Sequence, residues 1–220
     1  MPNLPLLLGH RGARVSAGVS ENTLPAFDLC LDHGCDGFEF DLRLAACGQA
    51  VVCHDPKIRG ITVSKVPCSQ LDGLPRLEDV LQRYSQRCFL DIELKVRNLE
   101  SKTLDALLQT PPECGCVVSS FVPDIVMELK ERSASVPVGI ICEKPAQLES
   151  GRQLPVDYVI AHQSLVDQRL VSEIHQTGKK LLVWTVNQKS KMLRLAEWGV
   201  DGIIADDTEL LVHTLRPAAS

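Results

Sequence analysis

Aromatic side chains are scarce: two Trp, two Tyr and five Phe among 220 residues. With so few stacking platforms and a formal charge of −5, the chain lacks the aromatic surface and the broad basic footprint that nucleic-acid binding uses. No apolar run approaches the roughly 18 residues of a membrane span. The longest, around Leu181 to Val186, is strand-sized. The first residues show no basic leader followed by a long apolar stretch, so the expectation is a cytoplasmic protein without a signal peptide. Neither a G-x-S-x-G turn, a G-x-x-x-x-G-K-[ST] loop nor a G-x-G-x-x-G fingerprint occurs, which weakens acyl transfer through serine, nucleotide hydrolysis and dinucleotide chemistry. Cysteine is not scarce, but its nine residues are odd in number and lie mostly in apolar runs, and Cys114-Gly115-Cys116 is one residue short of a C-x-x-C pair. A reduced, mostly buried set is expected.

Apolar residues make up 45 % and charged ones 23 %, an ordinary composition for a chain that folds around a core. No linker or low-complexity segment interrupts it, so residues 1–220 read as one domain. Nine strand-like runs recur: Leu6–Gly9, Gly37–Leu42, Ala50–His54, Phe89–Lys95, Cys116–Phe121, Val136–Cys142, Asp157–Ala161, Lys180–Val186 and Gly202–Ala205. Helical spacing fills most gaps, over Glu21–His33, Leu77–Tyr84, Ser101–Gln109, Pro123–Arg132, Leu165–Thr177 and Lys189–Trp198. Alternation of strand and helix indicates a parallel sheet. Only Ala45–Gln49 separates the second and third strands, too short for a parallel crossover, so these two form an antiparallel hairpin. Setting Ala50–His54 aside as an arm leaves eight strands, the number that closes a TIM (β/α)8 barrel with its site at the strand C-terminal ends. A turn centred on Cys47-Gly48 would place His54 opposite Asp41.

Period-2 alternation then locates the polar groups. In Phe38-Glu39-Phe40-Asp41-Leu42 the two carboxylates share the face that points into the barrel, and in Leu90-Asp91-Ile92-Glu93-Leu94-Lys95 so do Asp91, Glu93 and Lys95. Carboxylates crowded in one mouth repel each other unless a cation joins them, and all-oxygen ligation suits a hard divalent ion, Mg²⁺, Ca²⁺ or Mn²⁺. Glu39, Asp41 and Glu93 are the candidate ligands. His10 and His54 are the titratable groups beside them, suited to general acid and base work. Arg11 and Lys95 add positive charge, which points to an anionic ligand, most simply a phosphate.

The chain also carries, in order, Gly9-His10-Arg11-Gly12, Glu21-Asn22-Thr23-Leu24-Pro25-Ala26-Phe27, Glu39-Phe40-Asp41, Val51-Val52-Cys53-His54-Asp55, Ile92-Glu93-Leu94-Lys95, Ser119-Ser120-Phe121, Val183-Trp184-Thr185-Val186-Asn187 and Asp201-Gly202-Ile203-Ile204. In these pieces it resembles the glycerophosphodiester phosphodiesterase family. The resemblance implies hydrolysis of glycerophosphodiesters to sn-glycerol 3-phosphate and an alcohol. It further implies a divalent cation, Mg²⁺ or Ca²⁺, on Glu39, Asp41 and Glu93, an acid/base pair in His10 and His54, phosphate contacts from Arg11 and Lys95, and an aromatic flank to the glycerol pocket at Trp184. In that reading His10 is the base and His54 the acid, and the attacking oxygen is water or the neighbouring glycerol hydroxyl. Two alternatives stay open: a phospholipase D-like lyase that releases a cyclic phosphate from lysophospholipids, and a phosphoester-binding barrel without turnover.

The expected partner is a small-molecule glycerophosphodiester, with no nucleic acid, no stable membrane insertion, and a monomer or weak homo-oligomer as the assembly. Glu21-Asn22-Thr23 fits an N-terminal helix cap, with a role in placing His10 or the glycerol left open. Members of the resembled family commonly carry a longer insertion after the His-Asp pair; here only Pro56–Gly73 stands between His54-Asp55 and the next helix start, so the resemblance implies an abbreviated cap over the leaving group.

Overall fold

The structure, a computed structural model, describes residues 4–15, 18–71 and 73–217. Eight parallel strands form its frame: β1 (Leu6–His10), β2 (Gly37–Leu44), β6 (Phe89–Leu94), β7 (Cys116–Ser120), β8 (Val138–Cys142), β9 (Tyr158–His162), β10 (Lys180–Trp184) and β11 (Gly202–Ala205). They run in the order β1-β11-β10-β9-β8-β7-β6-β2, and β1 pairs with both β11 and β2, so the sheet closes on itself as a TIM barrel. The arm β3 (Ala50–Val52) pairs antiparallel with the end of β2, and two short strands, β4 (Lys57–Ile58) and β5 (Ile61–Thr62), make a surface hairpin beyond it.

Helices α1 (Leu24–Asp32), α2 (Leu77–Tyr84), α3 (Glu100–Gln109), α4 (Pro123–Arg132), α6 (Gln168–Gln176) and α7 (Lys189–Trp198) lie where helical spacing places them. Two others, α5 (Pro145–Gly151) and α8 (Thr208–Leu215), are not foreseen from spacing. The first is only seven residues long, too short to show a period; the second starts at Asp207, whose carboxylate accepts from the Leu210 N–H at 2.9 Å, within two residues of a strand end. No described helix is long and apolar enough to cross a membrane.

Strand parity sorts the side chains as alternation requires. Phe38, Phe40, Leu42, Leu90, Ile92 and Leu94 face outward into one continuous core with the helices, where Phe27 of α1 stacks on Phe38 at 4.1 Å and Tyr84 of α2 meets Phe38 edge-on at 5.0 Å. The barrel interior is filled by a second cluster that includes Leu8, Phe89, Val117, Ile160, Leu182 and Ile204. At the top of β1, Gly9 and Gly12 are required. A Cβ on Gly9 would sit 2.5 Å from Cys30 Sγ, and Gly12 holds φ +82° with the Ala26 backbone 2.7 Å from where its Cβ would be.

The hairpin departs from its expected register by one residue. Leu42 pairs with Val52 and Leu44 with Ala50, so Cys53, not His54, lies opposite Asp41, and the Cys53 N–H donates to the Asp41 carbonyl at 2.9 Å. The reason is local: the turn closes through Ala45 N–H to Gln49 O and Gly48 N–H to Ala45 O, with Gly48 at φ +77°, which centres the pairing on Cys47 itself. The arm also ends at Val52; beyond it the chain leaves the ladder, the His54 carbonyl accepts from Arg43 Nε at 2.8 Å, and His54 still arrives at the barrel mouth. Cys47 is disulfide-bonded, which corrects the expectation of a wholly reduced set; Cys30, Cys35, Cys88, Cys116 and Cys142 are free and buried as expected.

Candidate active site

The ladder registers set the site in two tiers. His10 pairs with Glu39 and Glu39 with Asp91 in the lower tier; Asp41 pairs with Glu93 in the upper. Lys95 follows directly as its N–H continues the β2–β6 ladder to the Leu42 carbonyl at 3.1 Å. Oxygen atoms of Glu39, Asp41 and Glu93, all buried, lie within 4.8 Å of one another.

Such crowding shows in the protonation of the acids. Burial, then the neighbouring Asp41, Glu93 and Asp91, pushes Glu39 well above the usual carboxylate range. Burial also lifts Asp91 to about 7, against a hydrogen bond from Ser119 Oγ at 2.6 Å. Glu93 rises to about 7 from burial, although Lys95 lies 2.7 Å away. Asp41 behaves oppositely: burial pushes it up, but Lys95 at 3.0 Å, Arg11 at 3.2 Å and the Asn22 amide at 2.7 Å together hold it below the ordinary value.

Four buried carboxyls thus face two cations, Arg11 and Lys95, and Glu39 Oε1 and Asp91 Oδ2 have no hydrogen-bond partner among the described residues. A hard divalent cation fits this set, which is all oxygen, convergent and short of positive charge.

His10 is anchored through one ring nitrogen. Its Nδ1 lies 2.7 Å from Asp206 Oδ1, just past the end of β11, which leaves Nε2 on the side of Glu39 at 3.9 Å. Asn187 holds Asp206 in turn, donating from Nδ2 at 2.7 Å and accepting the Asp206 N–H at 2.9 Å. Although burial raises it, these hydrogen bonds and the charge of Arg14 bring the Asp206 carboxyl down to about 2. His54 is less enclosed, with Nδ1 3.0 Å from Asp55; burial lowers its basicity and Asp55 partly restores it.

A cavity of ≈ 250 Å³ opens between these groups. Of the eight residues singled out from sequence, His10, Arg11, Glu39, His54, Glu93, Lys95 and Trp184 line it, and Asp41 stands behind as the partner of Arg11 and Lys95. Arg11 turns more inward than a phosphate grip requires: at φ +57° its backbone N–H donates to Glu39 at 3.0 Å, and its Nη1 donates to Glu21 at 2.7 Å.

The architecture and this geometry agree with the comparisons to known proteins. The description of the glycerophosphoryl diester phosphodiesterase family matches residues 10–109 and 74–210, which covers every residue of the cluster. The chain belongs to that family. Membership makes it a phosphodiesterase. A glycerophosphodiester phosphodiesterase of Caldanaerobacter subterraneus subsp. tengcongensis is 27 % identical over 96 % of this chain and 98 % of its own. The solved Oleispira antarctica phosphodiesterase, in complex with the product sn-glycerol-3-phosphate, is 26 % identical with a TM-score of 0.83, covering 96 % of each chain. The Thermotoga maritima glycerophosphodiester phosphodiesterase superposes with a TM-score of 0.79 at 24 % identity over 96 % of this chain and 98 % of that one, a likeness of fold.

Several residues of this phosphodiesterase site have no role in the sequence reading, and Glu21 and Asn22 have there only that of a helix cap, with a part in placing His10 or the glycerol left open. Thr23 does cap α1, accepting from the Ala26 N–H, but Asn22, at φ +57° and buried, clasps Asp41 with its side chain while Glu21 braces Arg11. Asp206 and Asn187 follow the ends of β11 and β10, so the strand-end rule that selected Lys95 reaches them too. Phe121 and Glu143 stand at the ends of β7 and β8 and line the cavity opposite the acids.

Proposed function

We propose that the protein hydrolyses glycerophosphodiesters to sn-glycerol 3-phosphate and an alcohol, with all of residues 1–220 serving as one catalytic domain that acts in the cytoplasm. The observation that carries this reading is the convergence, on one ≈ 250 Å³ cavity, of Glu39 and Glu93 with two histidines and a lysine, backed by Asp41, whose carboxylate lies within 4.8 Å of theirs. Glu39, Asp41 and Glu93 would hold a divalent cation, Mg²⁺ or Ca²⁺, which when bound neutralises charge on a phosphoryl oxygen.

The chain's own groups do the remaining work. His10, fixed by Asp206 at Nδ1, takes at Nε2 the proton of the attacking oxygen, and Asp206 stabilises the imidazolium so formed. As the new P–O bond forms, the bond to the alcohol breaks, and His54 supplies a proton to the departing oxygen. Lys95, held between Glu93 at 2.7 Å and Asp41 at 3.0 Å, stabilises negative charge that builds on the phosphoryl oxygens. Arg11 contributes charge from the cavity wall while it positions Glu39 and Asp41. Trp184 and Phe121, in edge-to-face contact at 5.5 Å, form the wall for one arm of the diester.

The test measures sn-glycerol 3-phosphate release from glycerophosphocholine and glycerophosphoethanolamine, with Mg²⁺, Ca²⁺ or chelator, in wild type and His10→Ala. Activity that survives EDTA overturns the metal assignment, and activity retained in His10→Ala overturns the acid/base one. Phosphorus NMR of the product decides between attack by water and attack by the glycerol hydroxyl, since only the latter yields a cyclic phosphate. No turnover of any diester leaves a binding barrel.

A further inference from the structure

The loop from β1 to α1 is tied down at two points. Its Ala13 N–H donates to the Ala26 carbonyl of α1 at 2.9 Å, and its Val15 N–H donates to the Asp206 carbonyl past β11 at 3.4 Å. Arg14 stands between those anchors with a side chain that is 41 % exposed. Its Nε lies 2.5 Å from Glu21 Oε2, and its Nη1 donates to Asp206 Oδ1 at 3.2 Å.

Each of these carboxylates already serves a residue of the site. Glu21 accepts from Arg11 Nη1 through its other oxygen, Oε1, at 2.7 Å, and Asp206 Oδ1 is the atom that meets His10 Nδ1 at 2.7 Å. Among the described residues, Arg14 is the one side chain that touches both. The contacts therefore run from His10 through Asp206, Arg14 and Glu21 to Arg11, whose Nε reaches Asp41 at 3.2 Å. Arg14 does not line the cavity, so it acts through its neighbours.

A guanidinium is planar with donors on several edges, so one arginine can hold two carboxylates at a set angle, which the single ammonium of lysine cannot. A half-exposed ion pair by itself contributes little. Here the partners are fixed beforehand, Asp206 by Asn187 at 2.7 and 2.9 Å and Glu21 by Arg11, and the backbone on either side of Arg14 is hydrogen-bonded. Less freedom is then lost in making the bridge.

We infer that Arg14 is a positioning residue that fixes His10 relative to Arg11, joining the proton-transfer side of the site to its phosphate side. This rests on the phosphodiesterase reading above, and a base displaced from its line to the phosphorus lowers kcat rather than affinity.

The experiment measures kcat and KM for glycerophosphocholine in wild type, Arg14→Met and Arg14→Lys, with thermal melts expected within about 4 °C of wild type because the bridge is part-exposed. In Arg14→Met kcat is expected to fall about three- to tenfold with KM within twofold, and Arg14→Lys should lie between the two. A second measurement combines Glu21→Gln with Asp206→Asn. The double variant should lose about threefold less kcat than the product of the single losses, and in the Arg14→Met background the two losses should multiply. A kcat within twofold of wild type in Arg14→Met overturns the inference. So does wild-type kcat in Arg14→Lys, which would make charge alone sufficient, and so do multiplying losses with Arg14 present. If wild type releases no sn-glycerol 3-phosphate, or His10→Ala keeps the full rate, the phosphodiesterase reading itself fails and the inference falls with it.

Discussion

Replacing Asp206 with asparagine probes the 2.7 Å contact that fixes the orientation of His10. The Asp206 carboxyl is held at about 2 although burial pushes it up from its ordinary 3.8, so its hydrogen bonds and ion pairs outweigh desolvation. A displacement of that size corresponds to about 2 kcal/mol. It is shared among His10 at 2.7 Å, Asn187 at 2.7 Å and Arg14 at 3.2 Å. Assigning half or more of it to His10 gives about 1 to 2 kcal/mol, a factor of roughly 5 to 30 in rate if the support is felt when His10 carries the transferred proton. Asp206 does not line the cavity, so the loss is expected in kcat with KM little changed. Steady-state release of sn-glycerol 3-phosphate from glycerophosphocholine measures both constants. A kcat within twofold of wild type, or a loss confined to KM, would refute the role given to Asp206. The same carboxylate stabilises the fold above its unfolded pKa, and this contribution fades as pH falls through about 2; Asp206→Asn should lack that acid dependence.

Asp91 and Glu93 predict an opposite slope nearer neutrality. Both titrate at about 7 in the folded protein, so between the ordinary carboxylate range and pH 7 the native state holds protons that the unfolded chain has released, and the metal-free protein should lose stability as pH rises across that window. Melting temperatures measured from pH 5 to pH 8 should fall without Mg²⁺ and flatten with it, and Asp91→Asn should raise stability at neutral pH by on the order of 1–3 kcal/mol. Flat melting curves in chelator would sink the claim. Asn22→Ala removes a 2.7 Å hydrogen bond from the buried Asp41 carboxylate; a cost of about 1–3 kcal/mol and about 10- to 100-fold weaker cation binding are expected, read by denaturant melts and calorimetry. Phe38→Ala opens a hole between Phe27 and Tyr84 on the face of β2 turned away from the cavity, and should cost about 3–5 kcal/mol in urea unfolding with the KM of the surviving folded enzyme little changed.

Strand parity was a strong guide because a barrel interior accepts no ambiguity. With Phe38, Phe40 and Leu42 committed to the helices, Glu39 and Asp41 have nowhere to point but inward. The eight-strand count survives for the same reason, while α5 escapes a reading by periodicity because seven residues show no repeat. The hairpin register depended on where a turn closes, and one residue of slip at Cys47-Gly48 is invisible to composition. Side-chain partnerships across long separations are harder still. His10 and Asp206 are 196 positions apart, and nothing local to either announces the contact. Asn22 was hidden by its neighbour: an Asn-Thr pair before a helix reads as a cap, Thr23 is indeed the cap, and the left-handed backbone at Asn22 that swings its amide to Asp41 has no sequence mark.

The barrel closes where β1 meets β11, and the His10–Asp206 contact straddles that seam. The carboxylate cluster, by contrast, is assembled wholly from β2 and β6, adjacent strands in the first half of the chain. Arg11 and Asn22, which brace Glu39 and Asp41, follow β1, so only the anchor of His10 has to come from beyond the last strand. A chain refolding from denaturant can orient the histidine only once the ring is complete. Enzyme activity in this protein is thus a report on closure, and should return after most of the secondary structure has already formed.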